Sequence, residues 1–439
     1  MVEGPSDTDD TDDTSGTGGT SETGALGSPD KPDSASAEAV APAAPDLGVG
    51  AGGEPTALQR LLQERRVLIV VGSGGVGKTT TAATLALLAA LQGKKVLVLT
   101  IDPARRLADA LGLKALGHDI QQVPTAKLEQ VAAQRQRDPV PGGRLDAMML
   151  DQKRAFDEIV NRYAQAAELR QRIMANAIYQ QIASSLAGSH EYAAVSKLYE
   201  LYSEGSYDLI VLDTPPTENA LDFLEAPDKV SQAVDSPTMQ WIIKPSAQAG
   251  TWGLRMIGMG SAFVLKGLAR FVGSRFLDQM AEFFVEFSQV FAGFRERSQK
   301  VQELLHRQEV SFILVCSPEP LSIDEALYFH ERLVRSRMNI GACVVNRVHK
   351  AGPPRPAELE PLLRGRPELA GYAADDLEKL ALDLGRTYDE QQVLAETDAA
   401  SIVRLAQTAK QPIRQVPMFE QDIHDAEGIA LLGGHLIPV

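Results

Sequence analysis

The sequence predicts an α/β fold built on a parallel sheet, and three observations carry that expectation. Short, continuously apolar runs recur along the chain, helical stretches fall between them, and a glycine-rich loop joins the first run to the first long helix. Order begins near Ala57, where ALQRLLQERR reads as a short helix, followed by a buried strand at Val67–Val71 (VLIVV). Thr79–Gln92, rich in Ala and Leu and closed by Gly93, reads as a helix, and Val96–Thr100 (VLVLT) as the next strand. This is a βαβ unit, and strands without polar alternation imply a sheet covered on both faces. Further strands are expected at Leu209–Leu212, Ser311–Cys316 and Gly341–Asn346, with a weaker one at Pro412–Val416 and a helix over Ile323–Ser336.

Two stretches between strands read as helical insertions, at about residues 141–204 and 228–304, and together they predict a helical subdomain. In the first, Leu145, Met149, Phe156, Ile159 and Tyr163 recur with helical period. In the second, Phe276, Met280, Phe283, Phe284, Phe287, Phe291 and Phe294 share one helix face, so six of the thirteen phenylalanines fall within nineteen residues. That face is either an apolar groove or an ordinary core or subunit contact. No internal repeat is visible.

Residues 1–56 form a different region. Asp, Ser, Thr, Gly, Pro and Ala dominate it, and no aromatic residue is present, so it is expected to be a disordered acidic tail preceding one domain over 57–439. Residues 1–55 hold twelve acidic residues and one lysine, which accounts for −11 of the formal charge of −15. The remainder is nearly balanced, which argues against a nucleic-acid binder. Cys316 and Cys343 are the two cysteines, too few for a disulfide scaffold or a four-cysteine zinc site, and both lie in apolar runs that read as core. The N-terminus lacks a basic segment followed by an apolar one, and uncharged runs such as Pro245–Leu254 and Met256–Leu265 are too short to span a bilayer. A cytoplasmic protein is expected.

The decisive segment is Gly72-Ser73-Gly74-Gly75-Val76-Gly77-Lys78-Thr79, which fits G-x-x-x-x-G-K-[ST] between a buried strand and a helix. Glycines let backbone N–H groups approach phosphates, and the helix N-terminus adds its positive dipole end. Lys78 is expected to reach the β- and γ-phosphates and Thr79 to bind Mg²⁺, with Thr80 counted in the same nucleotide-binding set. The expected fold is therefore a parallel-sheet P-loop NTPase. Asp213, ending the strand before Thr214-Pro215-Pro216, suits a Walker-B role at Mg²⁺, and Asp102 follows a strand in the same way. Each alone could instead cap a turn.

The segments GSGGVGKTTTAATLA, LTIDPARRLADALGL, IVLDTPPTENALDFL and VVNRV together resemble the ArsA/Get family of dimeric P-loop ATPases, which includes the arsenite-pump ATPase and the ATPase that targets tail-anchored membrane proteins. The likeness runs from about Leu58 to the C-terminus, and AMMLDQKRAFDEIV and VPMFEQDIHD are similar to the bacterial ArsA-like branch. The resemblance implies ATP and Mg²⁺ as cofactors, with Asp102 as the switch I residue at the attacking water and Asp213 as the switch II residue near Mg²⁺. It also implies that Asn346 reads adenine and that Val416–Phe419, with Pro417 and Phe419, closes over the base. No guanine signature is visible.

Three departures stand out. Ser73 occupies the position where family members usually carry a lysine that contacts nucleotide across the dimer, so either another cation such as Arg105 or Arg106 substitutes, or a partner subunit supplies the lysine. The Cys-x-x-Cys pair that shares zinc across the targeting ATPase dimer is absent, and two cysteines cannot form the three-cysteine metalloid site. His190 and the other histidines show no metal-ligand spacing. The expected function is an Mg²⁺-dependent, ATP-hydrolysing switch, a homodimer or a heterodimer with a related subunit. It would couple hydrolysis to binding and release of a hydrophobic protein client or membrane-protein partner. An ATPase subunit energising anion or arsenite efflux and a partitioning or positioning ATPase are the alternatives, and no nucleic-acid partner is expected.

Overall fold

The computed structural model describes residues 55–101, 105–185, 189–215, 274–353, 359–423 and 425–438. Most of the acidic tail, Asp102 and much of the second expected insertion lie outside these residues, as do the side chains of Arg105, Arg106, His190, Phe276, Met280, Phe284, Phe291 and Phe294.

The described chain begins with helix α1 (Ala57–Glu64), strand β1 (Val67–Gly72), helix α2 (Lys78–Leu91) and strand β2 (Lys95–Thr100). Helix α3 (Arg105–Leu111), the short strand β3 (Gln121–Gln122), helix α4 (Thr125–Gln134) and strand β4 (Arg144–Met149) follow. Helices α5 (Gln152–Tyr163), α6 (Ala167–Ala175), α7 (Ala177–Ser185) and α8 (Ser189–Glu204) lead to strand β5 (Leu209–Asp213). After α9 (Ser274–Leu305) come β6 (Val310–Cys316), α10 (Pro320–Arg335) and β7 (Ile340–Val348). The last elements are α11 (Glu360–Arg364), a 3-10 turn at Pro367–Leu369, α12 (Ala374–Ala409), β8 (Ile413–Pro417) and α13 (Ala426–Leu436).

The eight described strands form one sheet in the order β3-β4-β2-β5-β1-β6-β7-β8. Every pairing is parallel except that of β3 with β4. Strand β1 is buried along its whole length and shows why two cores exist. Val67, Ile69 and Val71 point into one apolar cluster with α5, α7, α8, α9 and α10, while Leu68 and Val70 point into the other with α1, α2, α4 and α13. The result is a sheet sandwiched between two helical layers, the arrangement that continuous apolar strands predict. Thr56 begins the ordered helix: its Oγ1 accepts from the Gln59 N–H at 3.3 Å.

The helical reading of Leu145 to Tyr163 needs correction. Leu145 and Met149 belong to β4, which pairs with β2 over Lys95↔Arg144 to Thr100↔Met149, and only the part from Gln152 is helical. Their four-residue spacing imitates a helix, but β2 offers an open parallel edge, and pairing there overrides local pattern. The buried Asp146 in this strand is held by Arg144 Nε at 2.8 Å and by the Tyr207 hydroxyl at 2.9 Å. On α9, Phe283 is 2 % exposed and stacks on Phe287 with ring centroids 5.0 Å apart. Phe283 belongs to the core cluster and half-buried Phe287 packs against it, so at these two positions the phenylalanine face turns inward.

Candidate nucleotide site

The site lies at the carboxyl edge of the parallel strands. The chain lays β2, β4 and β5 on one side of β1 and β6, β7 and β8 on the other, so the loop after β1 stands where the winding reverses. Open α/β sheets place their ligand crevices at such a point.

Residues 72–79 turn from β1 into α2. Gly72 pairs with Val315 of β6, and a Cβ at this position would collide with the Val315 carbonyl. Gly77 precedes α2 at φ 98°, a left-handed conformation open to glycine, and a Cβ there would run into the Asn346 amide. Lys78 is buried at the start of α2, and its Nζ reaches back to donate to the Ser73 carbonyl at 2.7 Å. Gly74, Gly75 and Val76 lie in the turn between, and Thr79 and Thr80 form the first turn of α2.

Ser73 is buried, and its hydroxyl lies 3.1 Å from that of Ser322 on α10. The Ser322 Oγ also accepts from the Ser317 N–H at 3.0 Å. The position where a lysine was expected thus carries a short hydroxyl committed to its own chain, bracing the loop against the start of α10.

Asp213 ends β5 wholly buried, and the register of β2 with β5 sets it beside Thr100, whose hydroxyl donates to Oδ2 at 3.0 Å. The next residue, Thr214, donates from its hydroxyl to the Val70 carbonyl at 2.9 Å, fixing the exit of β5 against β1. A desolvated carboxylate at the end of the strand beside β1 is chemically suited to a divalent cation, and a threonine hydroxyl such as that of Thr79 is a hard oxygen ligand of the same kind. Asp102 is outside the described residues.

At the other end of the loop, Asn346 donates from Nδ2 to the Val76 carbonyl at 2.9 Å, across 270 residues of sequence. A cavity of about 410 Å³ opens here, lined by Gly75, Gly77, Thr80, Asn346, Pro417 and Phe419. Volumes of this order suit a small-molecule ligand. Phe419 packs at 5.7 Å between ring centroids against His435 of α13. Met418, inside the expected Val416–Phe419 segment, also lines it, and Asp109, Arg347, Gln421, Asp422, Ile423 and Leu432, which were not anticipated, complete the lining. Arg347 sits at φ 65° where the β7–β8 register shifts between Val345 and Val348. That bulge directs two successive residues to the cavity, which strand alternation would not.

With that geometry in place, comparison with known proteins is decisive. The family model described as anion-transporting ATPase matches residues 65–356, well over half of the chain. The chain belongs to the anion-transporting ATPase family. It is a nucleotide-binding protein and an ATPase. It is 28% identical over 301 residues to "ATPase ASNA1 homolog 2" of Paramecium tetraurelia, covering 67% of this chain and 80% of that one. It is 27% identical over 298 residues to "ATPase GET3" of Podospora anserina, covering 67% of this chain and 77% of that one. A "Putative arsenical pump-driving ATPase" of Halobacterium salinarum is 33% identical over 177 residues, covering 38% of this chain and 24% of the relative.

Cys316 and Cys343 are wholly buried on β6 and β7, and burial raises the pKa of both thiols, that of Cys343 to about 12. Among the described residues no cluster of three metal-ligating side chains occurs, and no helix is long and apolar enough to cross a membrane.

Proposed function

We propose that this ATPase is a cytoplasmic, nucleotide-driven dimeric switch that binds Mg²⁺-ATP at the carboxyl edge of the sheet and couples its hydrolysis to binding and release of a hydrophobic protein client. The observation that carries the nucleotide part is convergence. Gly77 from the glycine-rich turn, Thr80 from the first turn of α2, Asn346 from β7, Pro417 at the end of β8 and Phe419 just after it line one cavity, although they are far apart in sequence.

In this reading the adenine lies between Asn346 and the Pro417–Phe419 segment, and the triphosphate runs along Gly72–Thr79. Lys78 leaves the Ser73 carbonyl to pair with the β- and γ-phosphates. Thr79 and Asp213 would hold Mg²⁺, which would neutralise phosphate charge. Asp102 orients the water that attacks the γ-phosphorus in line, and the bond to the β-phosphate oxygen breaks to leave ADP and phosphate. Ser73 contributes no charge, so a homodimer would be completed by another cation and a heterodimer by a related subunit's lysine. The client would be met by helical-layer surfaces other than Phe283, which is core, and Phe287, which packs against it.

Lys78→Ala is expected to weaken ATP binding at least tenfold, whereas Asp102→Asn keeps binding and loses turnover. Calorimetric titration with ATP plus a phosphate-release assay reads both. Undiminished ATP affinity in Lys78→Ala protein would remove the nucleotide assignment. Client coupling is tested by whether an apolar helical peptide binds differently in the ATP- and ADP-bound states, and equal binding in both counts against it.

A further inference from the structure

Helix α12 is thirty-six residues long and anchored along one side. Leu377, Ala395, Asp398, Ile402, Leu405 and Ala409 are buried on that side, and buried Asp398 accepts from both the backbone and the ring of His349. Gln392 donates to the Gly352 carbonyl at 3.2 Å, and Tyr388 donates to that of Pro353. The opposite side carries Leu382, 67 % exposed, and Val393, 61 % exposed, flanking Arg386 and Asp389 around a surface depression of about 640 Å³. The spacing 379, 382, 386, 389, 393, 396 alternates three and four residues, which is a coiled-coil seam.

We propose that this seam binds the same seam of a second copy, antiparallel, about a two-fold axis level with residues 387 and 388. In such a pair every layer joins residues whose numbers sum to a constant. Leu382 meets Val393, Arg386 meets Asp389, and Lys379 meets Glu396, and each layer recurs across the axis. An isologous contact must be self-complementary in this way. The seam is: apolar faces apolar, and both charged layers join a base to an acid. A parallel pair would instead oppose Arg386 to Arg386 and Asp389 to Asp389, which selects the orientation. The contact gives the proposed dimer switch a named surface, and rests on that reading only for its dimeric state.

Oxidation of a Leu382→Cys/Val393→Cys protein tests the geometry directly. The two positions lie eleven residues apart, about 16 Å along one helix, too far for an internal bridge. Across the pair they are opposed, so a disulfide-linked dimer is expected from the double variant, whereas neither single variant crosslinks. Sedimentation equilibrium provides the second arm. Arg386→Glu and Asp389→Arg should each weaken dimerisation at least tenfold, and the two together should restore it to within a few-fold of wild type. A dimer that ignores these reversals and does not crosslink overturns the seam but leaves the switch standing. A protein that stays monomeric with and without ATP overturns both.

Discussion

Gly77 shows how one backbone position ties the loop to the cavity. It occupies a left-handed conformation, and a side chain there would displace the Asn346 amide that lines the pocket. Gly75 is also left-handed, at φ 77°, yet a Cβ added there meets nothing within 4 Å. Gly75→Ala should therefore lose only the backbone cost of roughly 1–2 kcal/mol. Gly77→Ala should lose more, because the Asn346 bond to Val76 is broken as well. Thermal unfolding of the two variants checks the ranking, and equal losses would mean that Asn346 is not locked to the loop. Residue-scale legibility followed the same division. Lys78 and Asp213 were readable because each sits beside a strand or motif that sequence displays. Arg347, Gln421 and Asp422 were not, because a strand bulge and the path of the loop after β8 bring them to the cavity.

At the scale of elements, the central strands were legible because burial on both faces demands unbroken apolar runs. Strand β4 was not: Arg144-Leu145-Asp146-Ala147-Met148-Met149 contains no β-branched residue, and its buried acid is tolerated through Arg144 and Tyr207. Helices α12 and α13 went unread, although Asp425 caps α13 by accepting from the Gly428 N–H at 2.8 Å. The apolar face of α9 divides the core reading from the groove reading. Phe283→Ala should cost about 3–5 kcal/mol of stability, as for a filled core site. Chemical denaturation measures this, and a loss below about 1 kcal/mol would place Phe283 on a surface. Strands β6 and β7 hold both cysteines, so a thiol reagent at neutral pH should label neither in the folded protein and both after denaturation. Rapid labelling of the native protein would reopen a metalloid site.

At the scale of the whole molecule, burial lowers the pKa of His330 and His435, and the charge of Lys350 lowers His435 further. Their protonated forms are thus favoured in the unfolded chain, which binds more protons as pH falls below the ordinary histidine value of about 6.5. Their contribution destabilises the fold progressively below that value. The melting temperature should therefore be lower at pH 5.5 than at pH 7.5, and calorimetry showing the reverse would assign acid stability to other groups.

The sheet between its two helical layers leaves one carboxyl edge open, and at that edge stand Lys78, the buried Asp213 and the cavity beside Asn346. The most direct measurement is ATP turnover by the purified protein, with its mass in solution recorded with and without Mg²⁺-ATP, alongside Asp102→Asn and Lys78→Ala proteins. Mg²⁺-dependent hydrolysis that falls with either substitution, accompanied by ATP-dependent dimerisation, is the predicted result. Turnover that survives loss of Lys78, or a mass indifferent to nucleotide, would contradict an ATP-driven dimeric switch.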